Sequence, residues 1–135
     1  MKKILFILFL TIFTISATLP PTILEDQITQ QINGTVYRSI CGWSIYRNGI
    51  KVATVKHTVD AEWGSGNLVR IIYTNKVSWT KTGWTLSFRS SYKSPGWVDN
   101  AIYRTSWLLN PGSFMYSFTT KAWGSVPGKF TCTSA

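Results

Sequence analysis

The sequence has few side chains of the kinds that support catalysis or metal binding. His57 is the only histidine, and five carboxylates stand against 14 lysines and arginines in 135 residues. Two of the acids precede the region where strands are expected, which leaves Asp60, Glu62 and Asp99. His57 and Asp60 are three residues apart, so on one strand they would point to opposite faces and could not pair. We therefore expect no catalytic residue.

The same scarcity argues against a bound metal or cofactor. Asp60 and Glu62 would share one strand face and could approach the spacing of a glycosidase pair, but no other acid accompanies them. A hard cation takes about six to eight oxygen ligands, and zinc usually takes several histidine or thiolate ligands. We expect a solvated strand end at these acids, and neither a metal nor a cofactor.

Cysteine is also scarce, since Cys41 and Cys132 are the only two. In a protein outside the cytoplasm, such a pair indicates one disulfide. The bridge would close a loop of about ninety residues and stabilise the fold by about 4 to 5 kcal/mol. The alternative is two buried free thiols.

The longest apolar run, Ile4 to Ile15, is shorter than the roughly 20 residues that span a bilayer. It follows Lys2 and Lys3 and precedes small residues, the pattern of a secretory signal peptide. The sequence predicts a signal peptide over residues 1–17, cleaved after Ala17, and a secreted protein located extracellularly or at the cell surface. An uncleaved amino-terminal anchor is the alternative.

Residues 18–34 form a polar leader in which Leu24, Ile28 and Ile32 recur four residues apart. That spacing fits one face of a short helix, and a mobile leader fits equally well. After it, Gly, Pro, Asn and Ser occur at close intervals, which favours short strands. Residues 35–135 are predicted to be a single β domain, large enough for one core.

Strands are predicted from alternation of apolar and polar residues. Asn48-Gly49 predicts a tight hairpin turn, and a shift of apolar phase predicts a bulge near Ala53 or Thr54. Leu68 to Thr74 is apolar on both faces, as in a central strand. Seven or eight short strands of this kind predict an all-β fold, an antiparallel β-sandwich of immunoglobulin-like size, with a small barrel as the alternative.

Aromatic residues are abundant, with seven tryptophans, six tyrosines and seven phenylalanines. Six of them are in phase with apolar neighbours and are assigned to the core: Trp43, Trp79, Trp84, Phe88, Phe114 and Phe118.

A second group of aromatic and basic residues is assigned to a binding surface. Trp123 and Lys121 share the strand face opposite Phe118, and Trp63 and Trp97 lie at turns. An exposed aromatic ring beside basic groups can stack on sugar rings or settle in a membrane interface. The predicted binding residues are Trp63, Arg89, Tyr92, Lys93, Trp97, Lys121 and Trp123.

The positive charge narrows the class of partner. Without the lysines of the predicted signal peptide, 12 basic residues remain against five acidic ones, and such an excess favours anionic polymers and surfaces. The alternative is that the charge only keeps the protein soluble. We expect a non-catalytic binding domain for an envelope polymer or polysaccharide, anionic or neutral. The alternatives are an antibacterial effector acting on anionic membranes, and an extracellular structural subunit or protein inhibitor that uses a strand edge or the leader. Nucleic acid is not an expected partner.

Overall fold

The computed structural model describes residues 21–135, so the predicted signal peptide lies outside the described residues. This part of the chain forms eight strands. They are β1 (Thr22–Asn33), β2 (Val36–Arg47), β3 (Ile50–Trp63), β4 (Val69–Thr80), β5 (Thr85–Lys93), β6 (Asn100–Asn110), β7 (Phe114–Trp123) and β8 (Phe130–Ser134).

The strands form two antiparallel sheets that follow the order of the chain. Sheet A has the order β1-β2-β3-β4 and sheet B the order β5-β6-β7-β8. The two sheets pack face to face, and they do not close into a barrel. The predicted all-β sandwich is therefore confirmed.

The polar leader differs from its prediction, because residues 22–33 are neither a helix nor a mobile segment. They form β1, which pairs with β2 over nearly its whole length. Residues four apart lie on one face of a helix, but they also lie on one face of a strand. The spacing of Leu24 and Ile28 therefore could not separate the two structures, and pairing with β2 decides for the strand.

Strand β4 also differs from its prediction, because it lies at an edge of sheet A. Ile72 and Tyr73 are exposed, although their segment was expected to be a central strand. The register with β3 shifts at this point, since Asp60 pairs with Tyr73 and Ala61 pairs with Ile71. Because the strands of sheet A follow chain order, β4 is the last of them. One of its sides therefore has no neighbouring strand in the sheet, although β4 has apolar residues on both faces.

The first hairpin is close to its prediction. Asn48 and Gly49 both have positive φ, at 52° and 77°, as a tight two-residue turn requires. The predicted bulge is present but lies one residue earlier, because Ile45 pairs with Ala53 and Tyr46 with Lys51. The extra residue of β3 is therefore Val52.

The interior between the sheets contains two apolar clusters. The larger cluster surrounds Trp43 and Phe118, and the smaller one surrounds Trp63. The predicted disulfide is confirmed, with Cys41 and Cys132 joined in the larger cluster and their Cα atoms 5.9 Å apart. Because Cys41 is in β2 and Cys132 in β8, the bridge ties sheet A to sheet B.

Two aromatic residues assigned to the core are exposed instead. Trp79 is 49% exposed and Phe88 is 44% exposed. Trp79 is in β4 and Phe88 in β5, each an edge strand of its sheet. Alternation within a strand identifies residues that share a face, but it does not show whether a neighbouring strand covers them.

Candidate functional site

The single histidine is a buried structural residue. His57 in β3 is fully buried, and its two ring nitrogens contact the hydroxyls of Thr120 at 3.0 Å and Thr105 at 2.7 Å. The indole of Trp107 donates a hydrogen bond of 2.8 Å to the same Thr105 oxygen. One ring nitrogen donates and the other accepts, because a neutral imidazole has a single N–H and each threonine hydroxyl can play either part.

Protonation would change this arrangement, because an imidazolium donates from both nitrogens and both threonine hydroxyls must then accept. Burial lowers the pKa of His57 to about 4, with a smaller effect from the positive charge of Lys76. At neutral pH the ring is uncharged and surrounded by threonine, tryptophan and tyrosine side chains. Among residues 21–135 it has no carboxylate partner, and its side chain has no exposed surface through which it could reach a substrate.

The two candidate acids of β3 are both paired with arginines. Asp60 accepts two hydrogen bonds from Arg38, at 2.7 and 2.9 Å, and hydrogen bonding to Asp60 raises the pKa of Arg38. Glu62 forms an ion pair of 2.7 Å with Arg70. Between residues 21 and 135, no three histidine, cysteine or carboxylate side chains come together as a metal site would require.

The predicted binding residues do not form one site. Trp63 is only 5% exposed and lies in the smaller core cluster, so it has almost no surface to offer a ligand. Its indole donates a 2.7 Å hydrogen bond to the backbone oxygen of Trp123, and its ring packs edge-on against Tyr37 and Phe130. Trp63 therefore supports the strand that carries Trp123.

Trp97 lies at a different place, in the loop between β5 and β6. Its ring covers Gly64, where an added Cβ would come within 2.7 Å of the indole, and the guanidinium of Arg70 is 4.7 Å from the ring centre. The remaining exposed part, 43% of the side chain, borders a shallow pocket with Ser65 and Leu68. Trp97 is thus an exposed ring in a loop, away from the strand that carries Trp123.

Trp123 and Lys121 do lie together, on the outer face of sheet B. The ammonium of Lys121 is 3.7 Å from the centre of the Trp123 ring, and the ammonium of Lys129 is 5.0 Å from it. The indole nitrogen donates a 3.1 Å hydrogen bond to Thr131 of β8, which holds the ring across two strands. Trp123 is therefore a half-buried ring, held in place by its hydrogen bond, with the ammonium groups of Lys121 and Lys129 near it.

The register places two more residues on this outer face. Tyr92 of β5 pairs with Arg104 of β6, and Arg104 pairs with Thr119 of β7, to which it donates a hydrogen bond of 3.1 Å. Thr119 and Trp123 are four residues apart and share a face. We call the surface formed by Tyr92, Arg104, Lys121, Trp123 and Lys129 the basic–aromatic face.

The other two predicted residues also belong to edge strand β5, and Lys93 lies outside this face. Arg89 is the extra residue of a bulge between Phe88 and Ser90. Lys93 pairs with Tyr103, which faces the core, so Lys93 lies on the opposite side of β5 from Tyr92.

Arg104 and Lys129 were not among the residues predicted to bind. Arg104 could have been found from its own strand, because the apolar residues Tyr103 and Trp107 define one face and Arg104 falls on the other. Lys129 could not be found in this way, because it lies near Trp123 only through a tight turn of the chain. In that turn the backbone N–H of Trp123 donates a hydrogen bond to the backbone oxygen of Lys129.

The charge of the described chain is distributed unevenly between the sheets. Residues 21–80, which form sheet A, contain six basic and four acidic side chains, whereas residues 81–135 contain six basic side chains and one acidic, Asp99. None of the four strands of sheet B contains an aspartate or a glutamate. The strands of sheet B therefore place no carboxylate on the basic–aromatic face, and the one acid, Asp99, immediately precedes β6.

No protein-family model, curated protein or solved structure matches this chain. Over residues 21–135, no helix is long and apolar enough to cross a membrane.

Proposed function

We propose that the protein is a secreted, non-catalytic binding domain that recognises an anionic envelope polymer or polysaccharide through the basic–aromatic face. The observation that carries this proposal is the position of Trp123, whose ring centre is 3.7 Å from the ammonium of Lys121 and 5.0 Å from that of Lys129, on a sheet whose strands contain no acid. The apolar run over residues 4–15 and the Cys41–Cys132 disulfide support a location outside the cytoplasm.

The chemistry of this face suits a polymer that combines sugar rings with phosphate or carboxylate groups. An indole face stacks on apolar ring surfaces, and nearby ammonium and guanidinium groups pair with the anions of the same chain. The net positive potential would also raise the rate of encounter with an anionic polymer. Because the indole of Trp123 is held by its hydrogen bond to Thr131, little side-chain entropy remains to be lost on binding.

The test is retention of the purified protein on anionic wall fragments, on an insoluble acidic polysaccharide and on anionic vesicles, at low and moderate salt. Trp123→Ala should reduce retention on wall fragments or polysaccharide at least about fivefold, as loss of a stacking ring does. Trp97→Ala is the matched control, because it removes an exposed tryptophan outside the basic–aromatic face, and its retention should stay near that of the unaltered protein.

The outcomes separate this proposal from the alternatives. Capture and leakage of anionic vesicles, with no retention on wall or polysaccharide, would identify the membrane-active effector instead. Equal retention of the unaltered protein and Trp123→Ala would remove the basic–aromatic face from the site. A structural subunit that donates the segment from Leu24 to Asn33 to a partner has less support, because that segment already pairs with β2.

A further inference from the structure

The outer face of sheet A contains a groove, and none of the residues that line it belongs to the basic–aromatic face. Four directly paired residues cross it, namely Asp26 of β1, Gly42 of β2, Lys56 of β3 and Val77 of β4. Gly42 has no side chain, so the surface dips at β2. The resulting groove has a volume of about 280 Å³ and includes Trp79 in its wall.

Gly42 is required for the shape of this groove. The carboxylate of Asp26 lies over Gly42, and a Cβ at that position would overlap the carboxylate oxygen Oδ1. Any other residue would push Asp26 away from β2 and fill the dip. The glycine therefore allows the acid to lie across the sheet, toward the strand that carries Lys56.

The opposite wall is aromatic and apolar. Trp79 and Val77 lie on β4, and they are 49% and 52% exposed. Trp79 pairs with Thr54, and Thr54 pairs with Ser44, so two hydroxyl side chains lie between Trp79 and β1. Strands are spaced about 4.8 Å apart, which puts the β1 and β4 backbones about 14 Å apart across the groove. An exposed tryptophan at the rim of a polar groove is a frequent feature of ligand sites.

The charges of the lining determine the kind of ligand. One carboxylate, Asp26, and one ammonium, Lys56, face the groove, so its charged lining is neutral in sum. Because these two charges cancel, the groove has no net attraction for a polyanion. A neutral pyranose ring fits this lining, because its apolar C–H face can stack on Trp79 while its hydroxyls donate to Asp26 and accept from Lys56, Ser44 or Thr54. The volume is near the lower limit of small-molecule pockets, about 300 Å³, which suits one or two sugar rings.

We propose that this groove is a second ligand site, which binds one or two rings of a neutral oligosaccharide. It differs from the site of the proposed function in sheet, in residues and in ligand charge. Trp79 supplies the stacking surface, and Asp26 and Lys56 orient the ring through its hydroxyl groups.

The test is a titration of the ¹⁵N-labelled protein with neutral tetrasaccharides of β-1,4-linked glucose, N-acetylglucosamine and mannose, and of α-1,4-linked glucose, followed by amide and indole chemical shifts. At least one sugar should shift the Trp79 indole together with the amides of Asp26, Gly42 and Lys56. Trp79→Ala should raise the Kd for that sugar at least about fivefold. Asp26→Asn should raise the Kd several-fold, and its spectrum should still be that of a folded protein.

Trp123→Ala is the matched control, because it alters the basic–aromatic face on the other sheet and should leave the Kd for the neutral sugar unchanged. Absence of shifts with all four sugars at 10 mM would overturn the proposal. It would also be overturned if Trp79→Ala abolished a concentration-dependent dimer while no sugar bound, since the occupant would then be a second copy. Retention on anionic wall fragments tests the basic–aromatic face separately, so either site can fail alone.

Discussion

His57 is the residue whose chemistry depends most on its surroundings. It contributes to the core as an uncharged ring, which bonds to Thr105 and Thr120 of sheet B and packs against Trp43 and Tyr103. Because His57 belongs to sheet A, these hydrogen bonds are polar links between the two sheets. Such a histidine makes the stability of the fold sensitive to acid, because its imidazole binds a proton more readily in the unfolded chain than in the folded one.

We expect stability to fall as the pH falls below neutrality. The pKa of His57 is about 4 in the folded protein and about 6.5 in an unfolded chain, so between these values the unfolded state binds more protons. The stabilisation is complete above about pH 6.5 and is lost as the pH falls toward 4. Urea denaturation should show a free energy of unfolding about 2 kcal/mol lower at pH 5 than at pH 7.5.

The control for this prediction is His57→Gln, which keeps hydrogen-bonding atoms but does not titrate. Its free energy of unfolding should be lower than that of the unaltered protein at pH 7.5, and it should change much less between the two pH values. An equal change in both proteins would assign the pH dependence to other groups.

The tryptophans show how far single residues can be predicted from sequence. Trp123 was placed on an outer face because Phe118 and its neighbours define the buried phase of β7, and the structure has it there. Trp79 was placed in the core by the same kind of reasoning, but it is exposed. Phase alone could not separate these cases, because the outcome for Trp79 depends on which face of an edge strand is covered by the other sheet.

Among the elements, β1 differs most from its prediction, because a segment expected to be a leader is a strand of sheet A. As a leader it would have left β2 at the edge of sheet A, but as a strand it supplies Asp26 to the groove and covers an edge of sheet B. The amide of Gln27 donates a 3.0 Å hydrogen bond to the backbone oxygen of Phe130 in β8. The strand was not predictable because its side chains are mostly exposed and polar, so burial leaves little periodic signal.

The disulfide connects elements that are distant in the chain, and its removal should mainly favour the unfolded state. Cys41 and Cys132 are 91 residues apart, so replacing both with alanine should lower the free energy of unfolding by about 4 to 5 kcal/mol. The measurement is urea denaturation of Cys41→Ala/Cys132→Ala beside the oxidised and the reduced unaltered protein. The reduced protein should resemble the double variant, whereas a loss below about 1 kcal/mol would show that loop closure contributes little.

At the scale of the whole molecule, the fold separates two surfaces of different charge character. Sheet A pairs its acids Asp60 and Glu62 with arginines and has one carboxylate and one ammonium in its groove. Sheet B has no acid in its strands. The net positive charge was evident from composition, but its distribution followed only from the division of the chain into two consecutive four-stranded sheets. If the charge serves binding, its position should matter and its total should not.

Two substitutions that change net charge equally can test this distinction. Lys121→Glu reverses a charge on the basic–aromatic face, and Lys51→Glu does the same in sheet A, next to the first hairpin turn. Both lower the net charge by two, so a protein that is only kept soluble by its charge should respond equally to either.

We expect Lys121→Glu to reduce retention on anionic wall fragments at least tenfold at low salt, because it removes an attraction and adds a repulsion beside Trp123. Lys51→Glu should reduce it less than twofold, and both variants should lose retention as salt screens the remaining charges. Equal losses would mean that total charge governs adsorption and that the fold has no dedicated surface for the polymer.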